Sequence, residues 1–347
     1  MYKYTLTNIR RSDCPFCGKL GKYSAYMNTQ TGELAPAEYG MCSSCRNFKT
    51  PPNNYIQGES INVDDNKIAF YEADTLNINT INQYHKPSSY IHNNFIEGLE
   101  LRFGEDRVKR VIDLYKLGRF EDSHDGQSSA VVFPYFYTAS HLCTAKLMWF
   151  DNYQHRIKEG KKAYPKFLHN LYYRDDRGIL HDYNNYDTDD DMNDVVVPFK
   201  LKMCLFGHQQ IIDDKSKTIC LVESEKTAVI MSLVMPEFIW VASGGKTLIQ
   251  DYKFLFFTGR KCLVFPDLSE DDNVYKYWSE KLTYYNRKYG YDFEILDYYS
   301  DFLNNNSERI KYFKVKKYDI ADFVMDFNRK NIYVDYLKNK LKINKRQ

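Results

Sequence analysis

Two carboxylates stand where a reaction could be run. Glu223 follows the apolar run Ile219–Val222, and Asp267 follows a second apolar run, residues 262–265, after Pro266. If the two runs are neighbouring parallel strands, both acids sit at the carboxyl ends of one sheet, where open α/β folds place their sites. Two hard oxygen ligands there could hold Mg²⁺ or Mn²⁺ for phosphoryl chemistry.

A second constellation is made of thiols. Cys14 and Cys17 form one C-x-x-C pair, and Cys42 and Cys45 form another 24 residues further on. Each pair is a knuckle whose thiolates can bind one ion, and two knuckles complete a tetrahedral Cys₄ zinc site. Such a site is structural rather than catalytic, because four thiolates leave no open position for water. Gly18 eases the turn and Lys19 favours thiolate over thiol, while redox cysteines are the alternative. Basic and aromatic residues surround the quartet: Arg10, Arg11, Lys19, Lys22, Arg46 and Lys49 with Tyr23, Tyr26 and Phe48. That mixture suits single-stranded nucleic acid, through phosphate attraction and base stacking, and a solvated basic face is the competing reading.

A third group is a basic strip, Arg156, Lys158, Lys161, Lys162 and Lys166, interleaved with Tyr153, Tyr164 and Phe167. It reads either as a nucleic-acid contact or as a solvated hairpin. The Asp-rich, Asn-rich residues 175–194 lack the glycine-containing spacing of an EF-hand loop and read as a surface loop.

The elements that must position these groups follow from periodicity. Residues 93–117 carry apolar positions at helical spacing, broken near Gly104, with Gly118 as the expected C-cap. Residues 130–137 and 144–150 read as β-strands. After residue 216 the pattern alternates: strand 219–222, helix 226–233, strand 238–242, a turn at 243–246, strand 261–265, helix 274–288 and strand 292–296. Alternation of this kind predicts a mainly parallel sheet with crossover helices. Cys143, Cys204, Cys220 and Cys262 are isolated and read as small core residues. Residues 329–347 carry seven Lys or Arg against one Asp and read as a basic helical tail.

Composition bounds the rest. With 347 residues the chain has room for more than one domain, and 43% apolar with 27% charged residues is ordinary for globular protein. A net charge of +2 gives no global field for nucleic acid, so any basic surface is local. The 31 tyrosines lift the aromatic share to 16%, for which an AT-rich coding sequence is the plainest explanation. No apolar run approaches the ~18 residues of a membrane span, and the first residues lack the apolar core of a signal peptide. The expected setting is cytoplasmic, with no membrane partner and thiols reduced unless bound to metal.

The motifs themselves resemble a known family. Residues 221–228, centred on Glu223, resemble the first motif of the toprim domain, the sheet shared by bacterial primases, topoisomerases and some nucleases. Members usually have glycine after the glutamate, where this chain has Ser224. Residues 242–246, with Gly244, Gly245 and Lys246, resemble the glycine turn that follows in primase-helicase versions. The strand ending at Asp267 resembles the one that carries the family's D-x-D motif, and residues 318–323, with Asp319 and Asp322, resemble the segment that closes such domains in mobile-element primases. With the cysteine quartet in front, the order is similar to that of primase-like toprim proteins of bacterial phages, plasmids and transposons, especially of the Bacteroides group.

The resemblance implies an α/β multidomain chain: a small zinc ribbon (1–55), a linker and helical region (56–124), an intermediate α+β region (125–215), and a toprim-like, mainly parallel sheet with flanking helices and a basic tail (216–347). It implies Glu223 as general acid or base and Asp267 as metal ligand, with structural Zn²⁺ and a divalent Mg²⁺ or Mn²⁺ as the metals. Glu225, Lys226, Lys246, Gly244, Gly245, Asp319 and Asp322 become candidate metal or phosphate contacts. Lys226 could equally be a helix-surface residue in i,i+3 contact with Glu223. The family's second aspartate falls on Ser269, a poor Mg²⁺ ligand. Glu270, Asp271 or Asp272 could substitute for it, or the site could hold one ion or none.

The leading expectation is a primase-like nucleotidyltransferase acting on single-stranded DNA or RNA and nucleotides, in replication or transfer of a mobile element. No P-loop motif is present, so unwinding would fall to a separate helicase. The alternatives are a single-strand-binding module with a degenerate toprim site, and a toprim nuclease.

Overall fold

The computed structural model describes residues 4–12, 14, 19–20, 22–28, 35, 39–42, 48–49, 73–85, 93–121, 129–157, 165–174, 180–182, 199–327 and 331–341. The chain divides into two compact units, Met1–Asp65 and Asn66–Gln347.

The first unit is an antiparallel sheet of β1 (Tyr4–Ser12), β2 (Tyr23–Asn28), β3 (Gly40–Cys42) and β4 (Phe48–Lys49), paired in that order. Its buried cluster joins Cys14, Cys42 and Tyr23, and the Cys14 amide donates to the Lys19 carbonyl at 3.0 Å. Cys17 and Cys45, and the first part of the expected linker region, residues 56–72, lie outside the described residues.

The second unit is mixed α/β and holds two larger sheets. After the short helix α1 (Ile78–Asn82), two helices follow, α2 (Asn94–Phe103) and α3 (Glu105–Tyr115). They meet at Gly104, whose φ of +87° is accessible to glycine at little cost. The helical run ends not at Gly118 but at Lys116, which takes the left-handed conformation itself; Gly118 already opens a strand.

Four antiparallel strands come next, β5 (Gly118–Phe120), β6 (Ala130–Thr138), β7 (His141–Met148) and β8 (Lys166–Phe167), neighbours in that order. Nearly every residue of β6 and β7 is buried, so these two central strands are covered on both faces. A two-stranded ribbon, β9 (Tyr172–Arg174) with β10 (Leu180–Asp182), enters the stretch expected to be a loop, whose residues 175–179 and 183–194 lie outside the described ones.

The second large sheet is parallel. The short helix α4 (His208–Asp213) leads to β11 (Ile219–Val222), α5 (Glu225–Val234) and β12 (Ile239–Ala242). Then come β13 (Lys261–Val264), α6 (Asn273–Tyr289) and β14 (Asp292–Ile295). The strand order is β12-β11-β13-β14, with every pairing parallel. Alternate residues of β11 feed two cores. Cys220 and Val222 join the one that holds α5, and Ile219 and Leu221 join the one that holds Trp278 and Leu282 of α6. Helices therefore cover both faces. The chain closes with α7 (Ser307–Lys316), α8 (Ile320–Phe327) and α9 (Ile332–Lys340), the last within the expected basic tail.

The first of those cores also takes Phe95 and Ile112 from α2 and α3 and Phe133 and Tyr135 from β6, so the segments 56–124, 125–215 and 216–347 share buried contacts. The Tyr115 hydroxyl donates to the Trp240 carbonyl at 2.7 Å, tying α3 to β12. The four isolated cysteines are buried, with Cys143 and Cys204 sulfurs 3.8 Å apart. Among the described residues no helix is long and apolar enough to cross a membrane.

Candidate functional site

The strand order creates one switch point. After β11 the chain crosses to β12 on one side, and after β13 it crosses to β14 on the other, so a crevice opens beyond the carboxyl ends of β11 and β13. Glu223 and Asp267 are the acids delivered there.

Glu223 stands between the end of β11 and the Ser224 cap of α5. Ser224 caps that helix, its hydroxyl accepting from the Thr227 amide at 3.2 Å, which fixes the direction in which β11 hands over to α5. Serine at this position thus has a capping task that a side chain without a hydroxyl, amide or carboxylate could not perform. Burial raises the Glu223 pKa above the ordinary carboxylate range; the Lys246 amide, Lys246 and Lys146 pull it down, and Asp319 pushes it up.

Asp267 is more deeply held. Burial raises its pKa well above the usual range, and the charges of Glu223, Asp319 and Asp322 add to the rise. Its Oδ1 is buried with no hydrogen-bond partner among the described residues. The turn behind it is fixed by two bonds: the Tyr298 hydroxyl donates to the Pro266 carbonyl at 2.9 Å, and the Leu268 amide donates to the Tyr318 carbonyl at 2.9 Å. A buried carboxylate oxygen is costly to leave unpaired, so this atom is held ready for a cation or a proton.

The third and fourth acids come from the start of α8. The Asp319 and Asp322 carboxylates each accept the other's amide, at 3.0 and 2.8 Å, a reciprocal cap of that helix. Asp319 also accepts from the Thr227 hydroxyl at 2.6 Å, and burial together with Asp322 raises its pKa. Lys226 sits among these groups, its Nζ 3.1 Å from Asp322. Burial alone would lower the Lys226 pKa, but Asp319 and Asp322 outweigh it and raise the value. The i,i+3 pairing with Glu223 is thus replaced by a tertiary ion pair.

Ser269 lies elsewhere in function: its hydroxyl accepts the Val274 amide at 3.3 Å and so supports the first turn of α6. Glu270 and Asp271 are exposed, and Asp272 is paired with Lys314 at 2.7 Å. The acids that the structure couples to Glu223 and Asp267 are therefore Asp319 and Asp322 rather than those just after Ser269. Among the described residues, no three His, Cys, Asp or Glu side chains stand ready-formed around one ion position. The donor set nonetheless fits a hard cation: like carboxylates coupled at the end of a sheet, one with an unpartnered oxygen.

Glu225 departs from the candidate role. It is fully buried, and Lys146 of β7 reaches both its oxygens, at 3.0 and 3.1 Å, while the Tyr135 hydroxyl of β6 donates to it as well. The Lys146 Nζ also donates to the Gly244 carbonyl at 3.2 Å, and the buried Lys253 donates to the Ser243 carbonyl at 3.2 Å. Gly244 has φ +87°, and a Cβ there would fall 2.8 Å from the Tyr135 hydroxyl, so glycine is required twice over. These lysines clamp the turn whose Lys246 amide reaches Glu223. Lys146, Tyr135 and Lys253 went unrecognised in the sequence; for the two lysines the only signal was a cation among largely apolar neighbours, and Tyr135 gave none.

Of the basic strip, Arg156 is exposed, Lys166 stands 5.3 Å from the Trp149 ring, and Lys158, Lys161 and Lys162 lie outside the described residues. A groove of about 910 Å³ between α3, the end of α5 and α9 includes Lys217, Pro236 and Glu237, which precede β11 and β12, so it opens at the opposite end of the sheet from the acids.

Residues 93–268 match the family described as "Domain of unknown function (DUF6371)", and since that match takes in half of the chain, the chain belongs to this family. No curated protein matches it.

Proposed function

We propose that this DUF6371 member is a primase-like nucleotidyltransferase of the toprim type, using Mg²⁺ or Mn²⁺ to extend nucleotides on a single-stranded template. The observation that carries the reading is the placement of Glu223 and Asp267 just beyond the carboxyl ends of two adjacent parallel strands, coupled electrically and with Asp267 Oδ1 without a partner among the described residues. The toprim identity is supported by the motif order and by the four-stranded parallel sheet that ends in these acids. The zinc-ribbon identity is supported by Cys14 and Cys42 lying in one buried cluster.

In this reading Glu223 takes the proton from the attacking hydroxyl of the growing strand. The hydroxyl oxygen forms a bond to the α-phosphorus of an incoming nucleoside triphosphate as the bond to pyrophosphate breaks. A pKa lifted toward neutrality suits that role, because a base works best when its pKa lies near the working pH. Asp267, with Asp319 beside it, would hold a divalent cation that neutralises the phosphate oxygens. Lys246, whose Nζ is 2.6 Å from the Asn273 side chain, and Lys226 are the cations nearest to meet the triphosphate. Structural zinc on the Cys14, Cys17, Cys42 and Cys45 set, the template strip including Arg156 and Lys166, and a separate helicase partner complete the proposal.

One observation favours a second reading. Ser269 is committed to the first turn of α6, so a full D-x-D pair is absent, as in a binding module that has lost catalysis. Primer synthesis on single-stranded template with Mn²⁺ separates the readings. Product from wild type and at least a ~100-fold loss in Glu223→Ala is expected, the scale of losing a general base. Equal product from both proteins would remove Glu223 from the mechanism; strand shortening in place of synthesis would make the site a nuclease. Salt-sensitive binding without product would leave the binding module.

A further inference from the structure

A row of side chains leads away from the candidate site along α6. It begins at Lys246, whose amide and charge both act on Glu223, and whose Nζ is 2.6 Å from Asn273 at the first turn of that helix. Asn273 is followed by Tyr277, Lys281, Tyr284 and Lys288, spaced by four, four, three and four residues, which keeps them on one flank of the helix. Lys281 Nζ lies 5.4 Å from the Tyr277 ring, and Lys288 Nζ lies 5.4 Å from the Tyr284 ring and 5.0 Å from that of Tyr289. The row spans about 22 Å at ~1.5 Å per residue.

Tyr277 is half-buried and Tyr284 is 52% exposed, so the row presents ring surface as well as charge to solvent. The other face of α6 is already used: Val274, Trp278, Leu282 and Tyr285 are buried in the core. Opposing charge on the helix is slight, Glu280 against Lys276, Lys281, Arg287 and Lys288. Aromatic rings that alternate with cations, beginning beside a phosphate-handling site, match the two features of a single strand, its stackable bases and its evenly spaced phosphates. An acidic protein would use the charges but would have no need of the rings.

We infer that this flank of α6 is a track for single-stranded nucleic acid, with Tyr277 and Tyr284 stacking bases and Lys246, Lys281 and Lys288 meeting phosphates. The inference rests on the reading of the site as one that acts on nucleic acid, and its test reads binding rather than product. Fluorescence anisotropy of a labelled oligothymidylate, repeated with oligouridylate to distinguish DNA from RNA, is measured on wild type, Tyr284→Ala and the pair Lys281→Gln/Lys288→Gln. The pair Lys276→Gln/Arg287→Gln removes the same charge about a third of a turn round the helix and serves as control. Tyr284 is exposed, so its replacement leaves the core intact, and circular dichroism checks each fold.

Tyr284→Ala is expected to weaken binding about fivefold or more, and the row pair to weaken it more than the control pair and to flatten its salt dependence. Equal losses in the two pairs, wild-type affinity in Tyr284→Ala, or poly-glutamate competing as well as the oligonucleotide would each overturn the track. Row-specific binding in a protein that makes no product would keep the track and discard the polymerising activity.

Discussion

Asp267 governs how the second unit should respond to pH and to cations. Its pKa is raised in the folded state by burial and by Glu223, as are those of Glu223 and Asp319, so the folded protein holds protons that the unfolded chain releases. For acids raised on folding, stability is greatest below the unfolded value and falls as pH rises from ~4 toward the higher folded value. The melting temperature of the cation-free protein is therefore expected to fall as pH rises above about 4, through the raised folded values. Asp267→Asn should flatten that fall and stabilise the protein at pH 8, each unit of pKa shift relieved counting for about 1.4 kcal/mol. Thermal denaturation of the two proteins across that range checks it, and a wild-type profile that rises through the same window would refute the assignment. Sequence spacing brought Glu223 and Asp267 together because both end apolar strands. The part played by Asp319 was visible only through family resemblance, since nothing local links a helix cap to a strand end so far back in the chain.

The element that most shapes the site is the glycine turn between β12 and β13, clamped by lysines from outside the parallel sheet's motif strands. Lys146→Met should leave Glu225 buried and uncompensated, at a cost of about 3–5 kcal/mol, whereas Lys146→Met with Glu225→Met should recover much of the loss. Urea denaturation of the single and double variants measures this. A double variant no better than the single would mean that the ion pair is not the connection between the sheets. Glu225 stood as a candidate contact only through its place in the segment that resembles the toprim motif. Its partners, Lys146 and Tyr135, come from 79 and 90 residues away, and no spacing in the sequence announces such a pairing. Strand alternation and the break at Gly104 were legible because they depend on local periodicity and on one residue's backbone freedom. The end of α3 was not, because Lys116 takes a left-handed turn that glycine usually supplies.

At the scale of the whole molecule, the two units carry separable predictions. The first should bind zinc: metal analysis is expected to find one zinc per chain, lost in Cys42→Ser, and an equal content in both proteins would count against the Cys₄ site. The mixed fold of the second unit, with a parallel sheet covered by helices, follows from the alternating sequence, while its shared core follows from contacts no single segment shows. The central claim is that the carboxyl ends of β11 and β13 form a cation site for phosphoryl transfer, and Mn²⁺ binding followed by electron paramagnetic resonance tests it most directly. Titration of the wild-type protein should remove free Mn²⁺ signal with saturation, Asp267→Asn should abolish that uptake, and Glu270→Gln should leave it unchanged. Wild-type uptake no greater than that of Asp267→Asn would contradict the account.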